Sequence, residues 1–122
     1  NKNLTDDDIT RLCKISCLGK DIEEFDDKYN HILENNGSNI SGGQKQRIML
    51  ARAINNDFNI LLIDEGLNQL DVNSERKILK NLFNHYKDKT IIVVSHRLDN
   101  MDLYNQVIEI SKKVIRNESF NN

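Results

Sequence analysis

The sequence predicts an α/β fold built around a small parallel sheet. Two short, largely apolar runs, at residues 60–63 and 90–94, lack polar alternation, which is typical of strands covered on both faces. Between them, residues 74–86 carry apolar side chains at helical spacing and predict an amphipathic helix. Strand, helix and strand in this order form the unit of parallel sheets. A third strand is predicted at residues 107–110, with a return strand at residues 114–115.

The composition indicates one domain, or part of one, with no general affinity for nucleic acid. The 122 residues are 38% hydrophobic and 30% charged, which suffices for a packed core and excludes a disordered tail. The 17 Lys and Arg against 19 Asp and Glu give a net charge of -2, so no basic excess indicates a nucleic-acid or membrane surface. With no signal peptide and no apolar run long enough to span a bilayer, we expect a soluble, cytoplasmic chain.

The first forty residues are predicted to form two helices followed by a polar loop. Thr5 and Asp8 fit a capping box that begins the first helix. Its buried face is predicted to carry Ile9, Leu12, Cys13 and Cys17. Gly19 suits the left-handed residue that ends such a helix, and a shorter helix over residues 21–25 precedes the loop at residues 26–40. The two cysteines are therefore interpreted as core thiols rather than metal ligands or a disulfide.

A second capping box, Ser41 with Gln44, begins the helix predicted over residues 41–54. Gly42 and Gly43 in its first turn are costly in chain entropy, so they need a compensating role. The amino terminus of a helix offers unpaired N–H groups and a positive dipole end to an anion. A tight entry turn needs only one glycine, so two adjacent glycines favour close approach of a phosphate to the backbone.

Reactive side chains follow two of the predicted strands. Asp64 and Glu65 come directly after the first strand, and His96 follows the second. Ligands of open parallel sheets bind beyond these carboxyl ends. One carboxylate of the pair can hold a divalent cation through water, and the other can orient or deprotonate an attacking water. His96 can then contact a transferred phosphate, so the combination indicates a phosphoryl-transfer site.

These motifs resemble those of the ATP-binding-cassette (ABC) ATPases. Residues 40–44, Ile-Ser-Gly-Gly-Gln, resemble the LSGGQ signature with Ile in place of Leu. Residues 60–64 resemble the Walker B strand, Glu65 matches the catalytic glutamate, and His96 matches the switch histidine of the H-loop. The motif order is that of the family, as are the gaps of 20 residues from the signature Gln to the Walker B Asp and 31 from the glutamate to the histidine.

Two further stretches extend the resemblance over nearly the whole chain. Leu70 and Asp71 match the end of the family's D-loop, where Asn68 and Gln69 replace the usual Ser-Ala. Residues 5–37 resemble the helical subdomain of exporter-type cassettes. The set of motifs is highly specific, although any one of them alone would be weak.

The resemblance implies a partial P-loop NTPase (RecA-like) parallel sheet joined to the ABC helical subdomain. Residues 1–55 would form the helical subdomain with the signature helix, and residues 56–122 the core with Walker B, D-loop and H-loop. It implies ATP and Mg²⁺ as ligands, with Asp64 holding Mg²⁺ through water and Glu65 and His96 as catalytic residues. The residues it implies for ATP contact are Ser41, Gly42, Gly43 and Gln44 of the signature, which act in trans, and Asp71 of the D-loop.

The phosphate-binding loop of the family, G-x-x-x-x-G-K-[ST], does not occur in the sequence. In the family this Walker A motif, the adenine-stacking loop and the Q-loop all precede the helical subdomain, so the chain resembles the carboxy-terminal half of the domain. We therefore expect it neither to bind ATP tightly nor to hydrolyse it alone. The lack of a Walker A strand predicts a gap in the sheet, with bare apolar faces and unpaired strand edges. The chain would close this gap by pairing the strands at residues 90–94 and 107–110, or would cover it by self-association.

The resemblance implies a second nucleotide-binding domain, in a homodimer or pseudo-dimer, and the transmembrane domains of an exporter as partners, on the cytoplasmic side of the membrane. Likeness to peptide and bacteriocin exporters is suggestive of the cargo, and no nucleic acid is expected. One alternative is the carboxy-terminal lobe of a chromosome-maintenance or DNA-repair ATPase, but no sustained heptads precede Ser41. A second alternative is a non-enzymatic half-domain that only completes the site of a partner.

Overall fold

The computed structural model describes residues 4–34, 37–110 and 115–119. The helices are α1 (Asp6–Ser16), α2 (Gly19–Glu24), α3 (Gly42–Ile54) and α4 (Val72–His85). The strands are β1 (Ile60–Asp64), β2 (Thr90–Val94), β3 (Gln106–Ile110) and β4 (Ile115–Ser119). The order of elements agrees with the prediction, and the return strand begins at Ile115, while Val114 lies outside the described residues.

Strands β1 and β2 pair in parallel, with Leu61 opposite Ile91 and Ile63 opposite Val93, as predicted. Helix α4 connects them, as expected for a strand–helix–strand unit. Strands β3 and β4 form a separate antiparallel pair. In the described ranges β2 does not pair with β3, so the first of the two expected outcomes is not seen, and self-association stays a prediction.

One hydrophobic core joins α1, α3 and α4 to the inner face of β1 and β2. Ile78, Leu79 and Leu82 of α4 have no exposed surface, which places this helix at the centre of the core. The other buried members are Leu12, Ile15, Leu50, Ile54, Leu61, Ile63, Leu67 and Leu70. Burial of such side chains stabilises the fold by about 1.5–3 kcal/mol each. The tips of β1 and β2 therefore adjoin this buried core.

The outer face of β1 and β2 is exposed, so the prediction that both strands are covered on both faces is wrong for the part of the chain that the structure describes. Leu61 and Ile63 are 8% and 6% exposed, whereas Ile60 and Leu62 are 63% and 61% exposed. On β2, Ile92 and Val94 are also exposed. The reason is that the core helices all pack on the inner face, which leaves the apolar side chains of the outer face bare. Four exposed apolar side chains form this outer face: Ile60, Leu62, Ile92 and Val94.

Helix α1 begins as predicted but buries a different face. Asp8 N–H donates to Thr5 Oγ1 and Thr5 N–H to Asp8 Oδ2, both at 3.2 Å, which confirms the capping box. The buried residues are Leu12, Ile15 and Ser16, whereas Ile9, Cys13 and Cys17 are only half-buried. Ser16 tolerates burial because its hydroxyl donates to the carbonyl oxygen of Leu12 at 2.7 Å.

The end of α1 also differs from the prediction. Cys17, with a φ of 58°, is the left-handed residue that ends the helix, and Gly19 instead begins α2. The backbone N–H groups of Cys17 and Leu18 both reach the carbonyl oxygen of Cys13, which holds the turn without a glycine. Burial raises the pKa of the Cys13 and Cys17 thiols, so neither is poised as a nucleophile.

Candidate active site

Glu65 and His96 meet at the tips of the parallel strands. Glu65 N–H donates to the carbonyl oxygen of Val94 at 2.9 Å, which extends the β1–β2 pairing by one residue. Glu65 then adopts a left-handed conformation, with a φ of 48°, that is uncommon for a residue other than glycine. Its Oε1 atom lies 3.6 Å from His96 Nδ1, and both side chains are exposed, 52% for Glu65 and 70% for His96. The structure therefore brings together the two residues for which a catalytic role is predicted.

Asp64 is the last residue of β1, and its side chain is exposed beside Glu65 at the edge of the sheet. Within the described ranges no group of three or more His, Cys, Asp or Glu residues is arranged to hold a metal ion. Mg²⁺ commonly takes only one or two carboxylates and completes its shell with water and phosphate oxygens. The exposed carboxylates at this strand tip fit that pattern, with Asp64 as the residue that would hold the ion through water.

The capping box of α3 is present as predicted. Gln44 N–H donates to Ser41 Oγ at 3.1 Å, and Ser41 N–H donates to Gln44 Oε1 at 2.9 Å. Ser41 Oγ and Gln44 Oε1 are thus used as acceptors at the start of the helix. Their contact with a nucleotide stays a prediction.

The two signature glycines face the loop that joins β1 to α4. A Cβ atom on Gly42 would overlap Oε1 of Gln69 and lie 2.7 Å from its Cδ atom. On Gly43, a Cβ atom would lie 3.2 Å from Cδ2 of the buried Leu70. The groups that closely approach the two glycines are therefore side chains of the same chain, those of Gln69 and Leu70. Phosphate approach at Gly42 would require the flexible Gln69 side chain to move away.

Gln46 connects α3 to this loop through a hydrogen-bonded network that sequence reasoning missed. Its Nε2 atom donates to Asn68 Oδ1 at 2.7 Å, and its Oε1 atom accepts from the backbone N–H of Gln69 at 2.9 Å. Asn68 Nδ2 in turn donates to Glu65 Oε2 at 3.4 Å. The helix that carries the signature and the carboxylate at the strand tip are thus joined by three side chains.

Arg97 holds the same loop from the side of β2. Its Nη1 atom donates to the carbonyl oxygen of Leu70 at 2.6 Å and to Glu75 Oε2 at 3.0 Å, and its Nη2 atom donates to the carbonyl oxygen of Asn68. Glu75 is only 4% exposed, and Arg97 is the ionic partner of its buried carboxylate. The sequence places Arg97 next to His96, but no local pattern reveals the distant carbonyl groups that it binds.

Asp71 has a structural role as the N-cap of α4. Its Oδ1 atom accepts from Ser74 N–H at 2.9 Å, and its Oδ2 atom accepts from the Ser74 hydroxyl at 2.6 Å. These hydrogen bonds lower the pKa of Asp71, which keeps it ionised. The helix consequently starts at Val72, two residues before the predicted start at Ser74. Contact of Asp71 with ATP stays a prediction.

Comparisons with known proteins agree with this geometry. The model of the family described as "ABC transporter" matches residues 14–68. The lactococcin-A transport/processing ATP-binding protein of Lactococcus lactis is 39% identical over 98% of this chain. A transport/processing ATP-binding protein of Streptococcus pneumoniae is 37% identical over 93% of it. The chain spans only 16% of the length of either relative.

A solved structure has the same arrangement of elements. The structure of a bacterial Atm1-family ABC exporter with ATP bound matches with a TM-score of 0.81 and 25% identity, over 88% of this chain and 19% of that one. Fold and motifs together define part of a P-loop NTPase. The chain belongs to the ABC transporter family and represents part of an exporter-type nucleotide-binding domain. In the described residues no helix has the length and apolar character needed to cross a membrane.

Proposed function

We propose that this chain supplies the signature, Walker B, D-loop and H-loop of an ATP-hydrolysing exporter domain, and that it needs a Walker A motif from elsewhere for turnover. The observation that carries the proposal is the pairing of Glu65 and His96, 3.6 Å apart at the tips of two parallel strands. In open parallel sheets this is where ligands bind. The sequence itself has no Walker A motif, so the chain alone is proposed to be inactive.

Each polar group at the strand tips has a proposed task. Glu65 orients the attacking water and accepts its proton, and His96 contacts the transferred phosphate through its imidazole. Asp64 holds Mg²⁺ through water, and the bound ion would neutralise phosphate charge. Asp64 and Glu65 are both exposed, so nucleotide and ion can reach them without opening the core.

The signature is proposed to act on a nucleotide held by a second nucleotide-binding domain. The amino terminus of α3, with Ser41 as its N-cap, is the end of the helix whose backbone N–H groups and dipole favour such an anionic ligand. The partner would be a second copy in a homodimer or a related domain in a pseudo-dimer, and Asp71 would also contact its ATP. Transmembrane domains of an exporter would anchor the assembly on the cytoplasmic side of the membrane.

The cargo class is proposed from the relatives. One is named for transport of lactococcin A, which favours a peptide cargo for the protein to which this chain contributes. The division into a helical subdomain at residues 1–55 and a core at residues 56–122 is also a proposal. Both parts contribute to one hydrophobic core, through Leu12 and Leu50 on one side and Leu61 and Leu79 on the other. The DNA-repair alternative has no similar support, because the relatives named above are transport proteins.

The proposal is tested by mixing the chain with a Walker A-bearing domain of a related exporter and measuring phosphate release with Mg-ATP. We expect hydrolysis only in the mixture, and we expect Glu65→Gln to lower it by at least about 100-fold. Glu109→Gln, at an exposed glutamate of β3, is the matched control and should leave the rate unchanged. Hydrolysis that survives Glu65→Gln would contradict the catalytic role. A mixture that stays inactive would favour the non-enzymatic half-domain.

A further inference from the structure

The orientation of two side-chain amides next to Glu65 is determined by a single backbone group. The N–H of Gln69 can only donate, so the atom of Gln46 that faces it at 2.9 Å is the acceptor Oε1. The Nε2 atom of Gln46 therefore faces Asn68, 2.7 Å away, and requires an acceptor there. The same Nε2 atom also donates to the carbonyl oxygen of Glu65 at 3.5 Å. Asn68 consequently presents Oδ1 to Gln46 and directs its NH₂ group towards the Glu65 carboxylate.

The two oxygen atoms of the Glu65 carboxylate consequently have different surroundings. Oε2 lies 3.4 Å from the Nδ2 donor of Asn68, and Oε1 lies 3.6 Å from Nδ1 of His96. A carboxylate that accepts from an amide on one side has restricted rotation, and its other oxygen stays free to face the reacting groups. The backbone of Glu65 is also in an uncommon conformation, of the kind that persists only where surrounding contacts hold it in place.

Asn68 itself is held on a fixed loop. Its carbonyl oxygen accepts from Arg97, whose guanidinium also binds the Leu70 carbonyl and the buried Glu75 carboxylate. Asn68 is half-buried, so its side chain has few alternative positions. The side-chain amide of Asn68 is therefore held more firmly than that of a fully exposed asparagine. Such restraint is needed in a residue that orients the Glu65 carboxylate.

From this geometry we infer that Asn68 is a positioning residue for Glu65, and that Gln46 orients the Asn68 amide while also contacting the Glu65 backbone. The inference rests on the proposed function, in which Glu65 is the general base. The inference adds that a side chain of the helix that carries the signature, Gln46, helps to determine the orientation of the Glu65 carboxylate. Asn68, which stands where the D-loop of the family usually has Ser, is thereby given the task of orienting Glu65.

The contact itself is tested without any activity, by NMR of the side-chain amides in the isolated chain. Glu65→Ala removes an exposed carboxylate and should leave the fold intact. We expect the Asn68 NH₂ resonances to shift, followed by a smaller shift of the Gln46 NH₂ resonances. The NH₂ resonances of Asn84, an exposed asparagine of α4, should not change. Unchanged Asn68 resonances would overturn the inference.

The effect on the base is tested in the same mixture with a Walker A-bearing domain. Asn68→Ala should lower kcat about tenfold with the KM for Mg-ATP changed less than twofold, because a positioning group acts on the reaction step. Gln46→Ala should lower kcat less, and the double variant should lose less than the product of the two single losses, because Gln46 orients the Asn68 amide. Asn68→Asp keeps the acceptor for Gln46 but places a negative charge beside Glu65, so it should be at least as impaired. Asn84→Ala is the matched control.

The two proposals fail in different ways. If Glu65→Gln retains activity, the proposed function is wrong, whatever Asn68 does. If Glu65→Gln is inactive while Asn68→Ala and Asn68→Asp both keep the kcat of the unaltered chain, the positioning inference is wrong and the proposed function stands. The inference would also be overturned if Asn68→Ala caused the same fold-loss of kcat in the Glu65→Gln chain as in the unaltered chain. A group that acts through Glu65 has no further effect once the carboxylate is gone.

Discussion

The side-chain amide of Gln69 occupies the space that a Cβ atom on Gly42 would need, with Gln69 Cδ only 2.7 Å from that position. The contact joins the first turn of α3 to the loop after β1, 27 residues later in the sequence. The contact explains why a residue without a Cβ atom fits at position 42. It also predicts that the two adjacent glycines respond differently to substitution.

Gly42→Ala is expected to change the free energy of unfolding by less than about 0.5 kcal/mol. Alanine gains about 0.5–1 kcal/mol over glycine in a helix, and displacement of the flexible end of Gln69 offsets that gain. In the Gln69→Ala background the same substitution should stabilise the chain by about 0.5–1 kcal/mol. Urea unfolding of the four chains measures this coupling, and additive effects would show that the two residues do not share this space.

Gly43→Ala is expected to destabilise the chain where Gly42→Ala does not. The new Cβ atom would lie 3.2 Å from Cδ2 of Leu70, which is 4% exposed and cannot move into solvent. Overpacking of this kind costs about 1–3 kcal/mol, which exceeds the gain of about 0.5–1 kcal/mol of alanine over glycine in a helix. The same urea titration tests it, and a Gly43→Ala chain as stable as Gly42→Ala would contradict the packing described for Leu70.

Arg97→Ala is expected to lower the free energy of unfolding by about 3 kcal/mol. The substitution leaves the carboxylate of Glu75, which is 4% exposed, buried without its charged partner, and it frees two loop carbonyl groups. Arg76 is the matched control because its ion pair, with the largely exposed Asp102, is screened by water. Chemical unfolding should show a clearly smaller loss for Arg76→Ala, and equal losses would contradict the account.

Tyr104 is expected to cause part of the loss of stability at high pH. Burial raises its pKa to about 12, above the value of about 10 for an unfolded tyrosine. The neutral form is favoured in the folded chain, so this stability is fully present below pH 10 and is lost as the pH rises towards 12. Unfolding free energies measured from pH 8 to 12 should fall less steeply for Tyr104→Phe. Parallel curves for the two chains would refute the assignment.

The outer face is expected to cause self-association of the chain. It presents four exposed apolar side chains on adjacent strands, a surface of the type that drives aggregation or dimer formation. Light scattering should therefore show species larger than a monomer. Leu62→Lys with Ile92→Lys should shift them towards the monomer, whereas Ile32→Lys, at an 81% exposed loop residue, should not. A chain that is monodisperse and monomeric without these changes would disprove the prediction.

Local signals predicted much of this architecture. The capping boxes at Thr5 and Ser41 lie within four residues of sequence, and both are present in the structure. The parallel pairing of β1 with β2 also follows from the apolar runs and the helix between them. Because parallel strands end at the same edge, the proximity of Glu65 and His96 could be predicted from the same pattern.

Features that depend on distant partners could not be predicted in this way. Which face of β1 is covered is decided by where the helices pack, so the exposure of Ile60 and Leu62 was not visible in an apolar run. The network of Gln46, Asn68 and Glu65 spans about twenty residues and depends on the conformation of a loop. Short-range spacing carries no information about such contacts.

The central claim, that Glu65 is the base of a nucleotide site completed by a Walker A motif from elsewhere, is tested most directly by phosphate release from Mg-ATP in the mixture with a Walker A-bearing exporter domain. We expect no turnover by the chain alone, turnover in the mixture, and a loss of at least about 100-fold with Glu65→Gln but not with Glu109→Gln. Turnover in the mixture that is unaffected by Glu65→Gln would contradict the account.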